Sequence, residues 1–214
     1  MSSWSFPKVY PILDASVLPA TGRPAFLLGL GAALAESGVT LLEYRNKTGS
    51  GTEVLNDAAI LRAAMPGPEI KLILDDRADL VDRLGFDGVH VDAGDVSPAE
   101  ARRLIDPGKI VGTFGGSDSL LPGVLEQPAD YWSIGPVFAT TTKETAKPLI
   151  GIEGVRRLRA QAGPEPRLVA AAGITLETAP QVLEAGASAV AVAAALFRTP
   201  DPAAEFRRWR ALLG

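Results

Sequence analysis

Charged side chains of two kinds follow the predicted strands of this chain, and their combination points to a particular chemistry. Carboxylates come after the third and fourth predicted strands, at Asp75, Asp76, Asp92 and Asp95. Cations come after the second and the sixth, at Arg45, Lys47 and Lys143. Carboxylates alone would suit a hard metal ion, and Lys or Arg alone would suit a phosphate. Both together suit a complex of Mg²⁺ with pyrophosphate, because the metal and the side-chain cations then share the charge of the oligoanion.

Each of these groups also has a purely structural interpretation. The two aspartates after the third strand could cap a helix, and the cations after the second could lie on a solvated loop. The aspartates after the fourth strand could favour the dipole of a following helix. All of these groups nevertheless fall at the same end of the fold predicted below, which unrelated surface charges need not do. The shared location favours a common site.

Other residues that commonly carry catalysis are sparse. His90 stands inside a predicted strand, where a histidine is more typical of a core or a barrel lining than of a general base. The chain has no Cys and one His, so no second His can activate a Ser, and it has no Gly-x-Ser-x-Gly motif. Schiff-base chemistry at Lys47 or Lys143 stays open, although neither lysine stands in apolar sequence that would lower its pKa.

Composition excludes several classes of protein. The chain has 214 residues, is 47% hydrophobic and carries a formal net charge of −4, with no Cys and one His. Disulfides, Cys-based metal sites and multi-histidine metal sites are therefore ruled out, and a bound metal must rely mainly on oxygen. No long basic run favours nucleic acid, and neither a signal peptide nor an apolar run of about 18 residues favours a membrane. We expect a cytoplasmic protein that acts on small molecules, and homo-oligomerisation stays open.

Short β-branched runs alternate with longer amphipathic segments, which is typical of strand–helix units around a parallel sheet. The predicted strands are Val9–Leu13, Thr40–Tyr44, Lys71–Leu74, Gly88–Val91, Ile110–Thr113, Tyr131–Ile134, Leu168–Ala171 and Ala189–Val192. The predicted helices lie at about 24–36, 52–64, 78–84, 97–104, 119–126, 152–161, 176–185 and 202–213. These units predict an α/β fold, a single-domain (β/α)8 TIM barrel over residues 1–214. The alternative is an open doubly wound sheet, but no Gly-x-Gly-x-x-Gly motif follows the first strand.

In such a barrel the active site lies at the carboxyl ends of the strands. Small residues follow the seventh and eighth strands, at Ala172–Ile174 and Ala193–Ala195, and would let backbone N–H groups approach a phosphate monoester. A packed helix is the competing interpretation of these segments. The loop Gly135–Pro148 carries three consecutive Thr and a Lys, and we expect it to act as a lid over the site rather than as a plain surface loop.

The ordered set of loop motifs resembles the thiamine-phosphate synthase family, whose members join a pyrimidine pyrophosphate to a thiazole monophosphate. Residues Gly135–Lys143 are similar to the family's Gly-Pro-x-Phe/Tyr-x-Thr-x-Thr-Lys loop. Residues Leu42–Lys47 resemble its Gln-x-Arg-x-Lys segment, and Leu74–Arg77 its Asn-Asp-Arg segment. Gly88–Val91, followed by Asp95, resembles its Gly-Val-His-Leu-Gly-Gln-Glu-Asp segment. The similarity covers nearly the whole chain.

The resemblance implies a role for each matched residue. Asp76 and Asp95 would hold Mg²⁺, and the pyrophosphate would be bound by Arg45, Lys47 and Lys143. The thiazole phosphate would be surrounded by Thr140, Thr142, Gly173 and the backbone at Ala193 and Ala194. Further substrate contacts would come from Glu43, Asp75 and Thr113, of which the last stands where the family often has Ser.

The family's chemistry implies a dissociative reaction. Pyrophosphate leaves, a pyrimidinylmethyl cation forms, and the thiazole nitrogen captures it. Such a reaction needs neither a protein nucleophile nor a strong base, which agrees with the scarcity of both in this chain.

Four residues depart from the family pattern. Glu43 replaces a Gln that contacts the pyrimidine, and Asp75 replaces an Asn. Ala172 replaces the first Gly of a Gly-Gly pair, and Ala194 stands where the family often has a Ser near the thiazole phosphate. These changes put the exact substrate and the activity in question.

Three other functions stay open. A thiazole tautomerase would use a His after the fifth strand, where this chain has Gly112–Gly116 without a His. A phosphate-sensing module could keep the barrel and lose turnover, and a different barrel transferase or isomerase could act on a sugar phosphate.

Overall fold

Eight parallel strands form a closed barrel in the computed structural model, which describes residues 4–140 and 147–214. Each strand pairs with the next along the chain, and the last pairs with the first. The strands are β1 Val9–Asp14, β2 Leu41–Arg45, β3 Lys71–Asp75, β4 Gly88–Val91, β5 Ile110–Gly116, β6 Tyr131–Ile134, β7 Leu168–Ala171 and β8 Ala189–Val192. The predicted (β/α)8 barrel is confirmed.

Strand pairing carries several strands beyond their predicted carboxyl ends. Arg45 continues β2 because it pairs with Asp14 of β1, and Asp75 continues β3 because it pairs with His90 of β4. Strand β5 runs to Gly116 along β6, with a register shift after Phe114. Hydrophobic periodicity does not show these polar extensions, because the barrel's hydrogen-bond ladder and not burial of apolar side chains maintains them.

Helices surround the barrel in the part of the chain that the structure describes. They are α1 Arg23–Glu36, α2 Gly51–Ala64, α3 Pro98–Leu104, α4 Gly151–Ala162, α5 Ala179–Glu184, α6 Ala194–Phe197 and α7 Pro202–Leu213. Helix α6 is absent from the predicted set, and α5 is shorter than the predicted 176–185.

Two predicted helices are wrong. The segment 78–84 contains only a 3-10 turn at Ala78–Leu80, and the segment 119–126 only one at Val124–Glu126. In the second case Pro122 lacks a backbone N–H and Gly123 has a φ of 66°, and both features interrupt an α-helix. The apolar residues of both segments predict helices, but in the structure both segments are short connections between strands.

The barrel lumen has an apolar core of its own. It is filled by inward side chains from several strands, namely Tyr10, Leu41, Ile73, Tyr131, Val169, Ala189 and Ala191. At the amino ends of the strands, Trp4 and Phe6 pack edge to face, and Phe6 also packs on Tyr10 and Tyr131. The lumen is therefore filled by side chains towards this end, and the ligand-sized spaces described below lie at the carboxyl ends of the strands.

Among the helices that the structure describes, none combines the length and the apolar composition needed to cross a bilayer.

Candidate active site

Two adjoining spaces open at the carboxyl ends of the strands. The first has a volume of about 250 Å³ and is lined by residues that include Glu43, Arg45, Asp75, His90, Phe114, Tyr131, Thr140 and Lys147. The second has a volume of about 350 Å³ and is lined by residues that include Arg45, Thr140, Gly173, Thr175, Ala193, Ala194 and Ala195. Because Arg45 and Thr140 border both spaces, ligands in the two would lie side by side.

Cations and carboxylates alternate at the mouth of the first space. Arg45 forms an ion pair with Asp14, and its Nε lies 3.7 Å from Asp75 Oδ2. Lys47 Nζ lies 2.8 Å from Asp75 Oδ2 and 2.5 Å from an oxygen of Asp76. Burial disfavours the charge of Lys47, but the two aspartates outweigh it and raise the pKa of the lysine. Burial raises the pKa of Asp75 in spite of Lys47.

Asp76 adopts an unusual backbone conformation at this mouth. Its φ is 67°, in the left-handed region that non-glycine residues rarely adopt, and its backbone N–H donates to His90 O at 2.8 Å. Such a conformation costs about 1–3 kcal/mol and is typical of functional positions. It directs the Asp76 carboxyl group towards Asp95, and burial together with this hydrogen-bonded contact raises the pKa of Asp95.

The pair Asp76 and Asp95 fits a magnesium ion. Two carboxyl groups in contact repel each other when both are ionised, and a cation between them would relieve that repulsion. No group of three or more Asp, Glu, His or Cys side chains suited to a metal occurs among residues 4–140 and 147–214. Mg²⁺ nevertheless commonly binds through one or two carboxylates plus water and substrate phosphates, so two protein ligands suffice.

A buried chain of hydrogen bonds lies below this mouth. Tyr10 Oη donates to Glu43 Oε2 at 2.7 Å and lies 2.7 Å from Tyr131 Oη. Tyr131 Oη in turn lies 3.0 Å from His90 Nδ1, and His90 Nε2 lies 3.8 Å from Asp92 Oδ1. Glu43 is thereby connected to His90 and Asp92 through two tyrosines.

Glu43 and His90, the buried acid and base of this hydrogen-bonded series, each stabilise the charged form of the other. Burial raises the pKa of Glu43 to about 7, against the effect of His90 and with the help of Asp75. Burial lowers the pKa of His90, but hydrogen bonding to Asp92 and the Glu43 carboxylate outweigh it and raise that pKa. Glu43 is therefore close to half-ionised near neutral pH. A cationic ligand beside it would lower its pKa, and an anionic ligand would raise it.

The second space is shaped by small residues and by a close backbone approach. Gly173 has a φ of 68°, and a Cβ there would lie 2.4 Å from Ala139 O. Ala172 also has a positive φ, of 77°. Ala193 precedes the short helix α6, which begins at Ala194. Backbone rather than long side chains therefore borders much of this space.

Two predicted site residues lie outside the described residues, and one lies away from both spaces. Lys143 and Thr142 fall within residues 141–146. Thr113 is buried in β5 and lines neither space, whereas the adjacent Phe114 lines the first. All the other predicted site residues border the two spaces or form the Lys47–Asp76–Asp95 cluster beside them.

The sequence interpretation missed several residues of the site, among them Tyr10, Tyr131 and Lys147. Tyr10 and Tyr131 stand inside strands, where aromatic residues predict packing, and only alternation along the strand could have indicated that they face the lumen. Lys147 lines the first space, with its Nζ 3.3 Å from the centre of the Phe114 ring. Lys147 lies four residues after Lys143, in the same Thr-rich loop. A second lysine in that loop is a sequence signal for a further cation at the site.

Comparison with known proteins identifies the family of this chain. The family model described as thiamine monophosphate synthase matches residues 10–196. The thiamine-phosphate synthase of Koribacter versatilis is 41% identical over 206 residues, 96% of each chain. That of Agrobacterium fabrum is 36% identical over 209 residues, covering 96% of this chain and 93% of the relative.

Solved structures share the fold. The thiamine phosphate pyrophosphorylase of Pyrococcus furiosus superposes with a TM-score of 0.76 and 25% identity, covering 96% of this chain and 95% of the other. A 3-hexulose-6-phosphate synthase superposes with a TM-score of 0.66 at 20% identity, covering 97% of this chain and all of the other, which reflects the shared barrel alone. On the extent of the model match and the identity to these relatives, the chain belongs to the thiamine monophosphate synthase family and is a transferase.

Proposed function

We propose that this enzyme condenses 4-amino-2-methyl-5-hydroxymethylpyrimidine pyrophosphate with 4-methyl-5-hydroxyethylthiazole phosphate, giving thiamine phosphate and pyrophosphate. The observation that carries the proposal is the cluster of Lys47 with Asp75 and Asp76 at the mouth of one ligand space, directly beside a second space bordered by backbone. The names of the related synthases support thiamine phosphate as the product. A cytoplasmic location and a homo-oligomeric state stay predictions.

The leaving pyrophosphate is the group that needs the most stabilisation. Arg45 and Lys47 supply fixed positive charge at the mouth, and Lys143 stays a predicted third cation. Asp76 and Asp95 would hold Mg²⁺, which when bound supplies charge that offsets the growing negative charge of the leaving group. Lys47 would exchange its aspartate partners for phosphate oxygens when this ligand arrives, because a diphosphate carries more negative charge than a single carboxylate.

The reaction we propose is dissociative. The C–O bond to pyrophosphate breaks with its electron pair leaving on oxygen, and the methylene cation is then captured by the lone pair of the thiazole nitrogen. The residues of this chain hold both rings and exclude water, which would otherwise capture the cation. Tyr10 and Tyr131 close the bottom of the first space, and Glu43 places partial negative charge beside the pyrimidine ring.

The thiazole phosphate is assigned to the second space. Thr140, Gly173 and the backbone at Ala193 and Ala194 would surround it, with Thr142 as a further predicted contact. Ala194 lacks the hydroxyl that the family often has at this position. One missing hydrogen bond of this kind weakens binding by about 1 kcal/mol.

A direct assay tests the proposed reaction. Purified protein is mixed with the two substrates and Mg²⁺, and thiamine phosphate and pyrophosphate are quantified together. We expect equal molar amounts of both products. Saturable binding of the thiazole phosphate without either product would instead support a tautomerase-like or sensing relative, and would contradict the proposed condensation.

A further inference from the structure

A cluster of polar side chains holds the connection between β2 and α2 on the outer side of the barrel. Arg23 Nε donates to both carboxyl oxygens of Asp57, at 3.1 and 2.9 Å, and Tyr44 Oη donates to Asp57 Oδ2 at 2.5 Å. Asn46 Nδ2 donates to Tyr44 Oη at 3.1 Å. We refer to Arg23, Asp57, Tyr44 and Asn46 as the Tyr44 clamp. It joins the start of α1, the middle of α2 and the end of β2.

Two members of the clamp, Asp57 and Tyr44, are buried, and the other two, Arg23 and Asn46, are half-buried. Asp57 is 4% exposed and Tyr44 is 1% exposed. Burial, followed by hydrogen bonding to Asp57, raises the pKa of Tyr44, so its hydroxyl keeps the proton that it donates. Removing one member would leave the others with unmet hydrogen bonds inside the protein, which makes the arrangement specific.

The clamp also fixes the loop that follows β2. Asn46 Oδ1 accepts from Gly49 N at 2.8 Å. A Cβ at position 49 would lie 2.3 Å from Asn46 Nδ2, so this contact requires glycine. At the other end of the loop, Ser50 and Glu53 form a capping box at the start of α2. The loop is therefore held at both ends.

Successive residues of this segment face alternately towards the clamp and towards the site. Tyr44 and Asn46 belong to the clamp and line neither ligand space. Glu43 and Arg45 line the first space, and Lys47 reaches the aspartates beside it. Arg45 is held in place by the ladder of β2, whereas Lys47 lies beyond the end of that strand and has no ladder to position it.

We propose that the Tyr44 clamp, acting through Asn46, positions Lys47 for the diphosphate of the substrate. Asn46 and Tyr44 are positioning residues in this proposal, because their effect reaches the ligand only through the lysine. The proposal rests on the proposed function in one respect, namely that Lys47 binds a diphosphate.

A double-mutant cycle tests the coupling. Asn46→Ala and Tyr44→Phe are each made in the wild-type chain and in the Lys47→Ala chain, and the Kd for inorganic pyrophosphate with Mg²⁺ is measured by calorimetry. With Lys47 present, we expect each change to weaken binding about fivefold, in the range of a single hydrogen bond. In the Lys47→Ala background we expect no further loss, since the clamp then has nothing to position.

Gly49→Ala provides an independent variant at a residue that lines neither ligand space. The added methyl should displace the Asn46 amide and weaken pyrophosphate binding to the same extent as Asn46→Ala. Combined with Asn46→Ala it should add nothing, because no amide is left to displace.

Asp87→Asn is the matched control, because Asp87 pairs with Arg62 and accepts from Leu72 N near the opposite ends of the strands. It should lower thermal stability and leave the pyrophosphate Kd unchanged.

The outcomes separate the two proposals. Equal losses with and without Lys47, or an unchanged Kd in all the clamp variants, would overturn the clamp proposal alone. Coupling in the cycle without any thiamine phosphate from the wild-type enzyme would overturn the proposed function and leave the clamp standing. No pyrophosphate binding by the wild-type protein would overturn both.

Discussion

Lys47 lies between the carboxyl groups of Asp75 and Asp76, so an anionic ligand must compete with both for the lysine's charge. A phosphate bound to a divalent cation avoids this competition. The cation can bind the carboxylates while Lys47 binds the phosphate. The residues at this mouth therefore suit a metal-bound anion better than a free one.

Removing the charge of Asp76 should reduce turnover while leaving the fold intact. We choose Asp76→Asn because Asn tolerates the left-handed backbone at this position. We expect kcat to fall about 100-fold or more, the scale seen when one electrostatic group of a preorganised site is lost. Asp79→Asn is the control, because Asp79 is an exposed partner of Arg77. A near-normal rate in the Asp76 variant would contradict the assigned role.

Glu43 should make stability depend on pH. Its pKa is raised to about 7 in the folded state from 4.5, so the folded protein holds this proton more tightly than the unfolded chain. The stabilising contribution is full below the unfolded pKa and is lost as pH rises through about 7. We expect the free energy of unfolding to fall between pH 5 and 8, by up to about 3 kcal/mol from this group.

Urea unfolding at several pH values measures this dependence. In Glu43→Gln the decline between pH 5 and 8 should be shallower, because the titrating carboxyl is gone. His90, whose pKa is also raised, contributes a loss of the same sign that the variant retains. An identical pH profile in the wild type and the variant would show that Glu43 does not titrate in this range.

Backbone contacts between elements shape the second ligand space. Val137 N donates to Ala171 O at 2.9 Å and Phe138 N to Ala172 O at 3.1 Å, so the segment after β6 lies along the end of β7. Gly173 then approaches Ala139 O too closely for a side chain. The loops after β6 and β7 thus form one unit, and a change in either should be felt in the other.

Gly173→Ala should disturb this unit more than a glycine change elsewhere. The new Cβ would lie 2.4 Å from Ala139 O. The alanine would also have to keep a φ of 68°, which residues with a side chain rarely adopt. We expect the KM for the thiazole phosphate to rise about tenfold, in line with misplacement of binding groups. Gly123→Ala is the matched control, because Gly123 has a φ of 66° with a ψ of 7°, and a Cβ there meets only the end of the Glu126 side chain, at 3.8 Å. That control should lose about 1 kcal/mol of stability and keep its KM.

At the scale of the whole molecule, the barrel brings groups far apart in the chain to one mouth. The chain carries a formal net charge of −4, yet cations and carboxylates are interleaved at this mouth rather than separated. Such a site has little charge of its own, so a metal and a diphosphate together should bind better than either alone.

Metal removal should therefore stop the reaction. We expect EDTA to abolish formation of thiamine phosphate and excess Mg²⁺ to restore it. Asp76→Asn should require a higher Mg²⁺ concentration for its residual activity, whereas Asp79→Asn should follow the wild-type titration. Undiminished activity after thorough metal removal would contradict the assignment of Asp76 and Asp95.

Much of the fold follows from the sequence because its signals are local. Apolar runs such as Gly88–Val91 and Tyr131–Ile134 coincide with strands β4 and β6, since burial on both faces of a parallel strand requires such runs. Because the strands were predicted correctly, the charged residues after β2, β3 and β4 were also predicted at one end of the barrel. The helices predicted at 78–84 and 119–126 were wrong, because apolar residues there pack in short connections.

The sequence by itself thus determined the barrel, the end of it that binds ligands, and most of the charged residues found there. Only the tertiary structure decided which of them touch, because contacts across a closed barrel depend on strand register between distant segments. Tyr10 meets Tyr131 inside the lumen, and Asp57 reaches Tyr44 outside it. Neither contact has a signature in local periodicity, since each arises only when the strands are paired and the helices are packed around them.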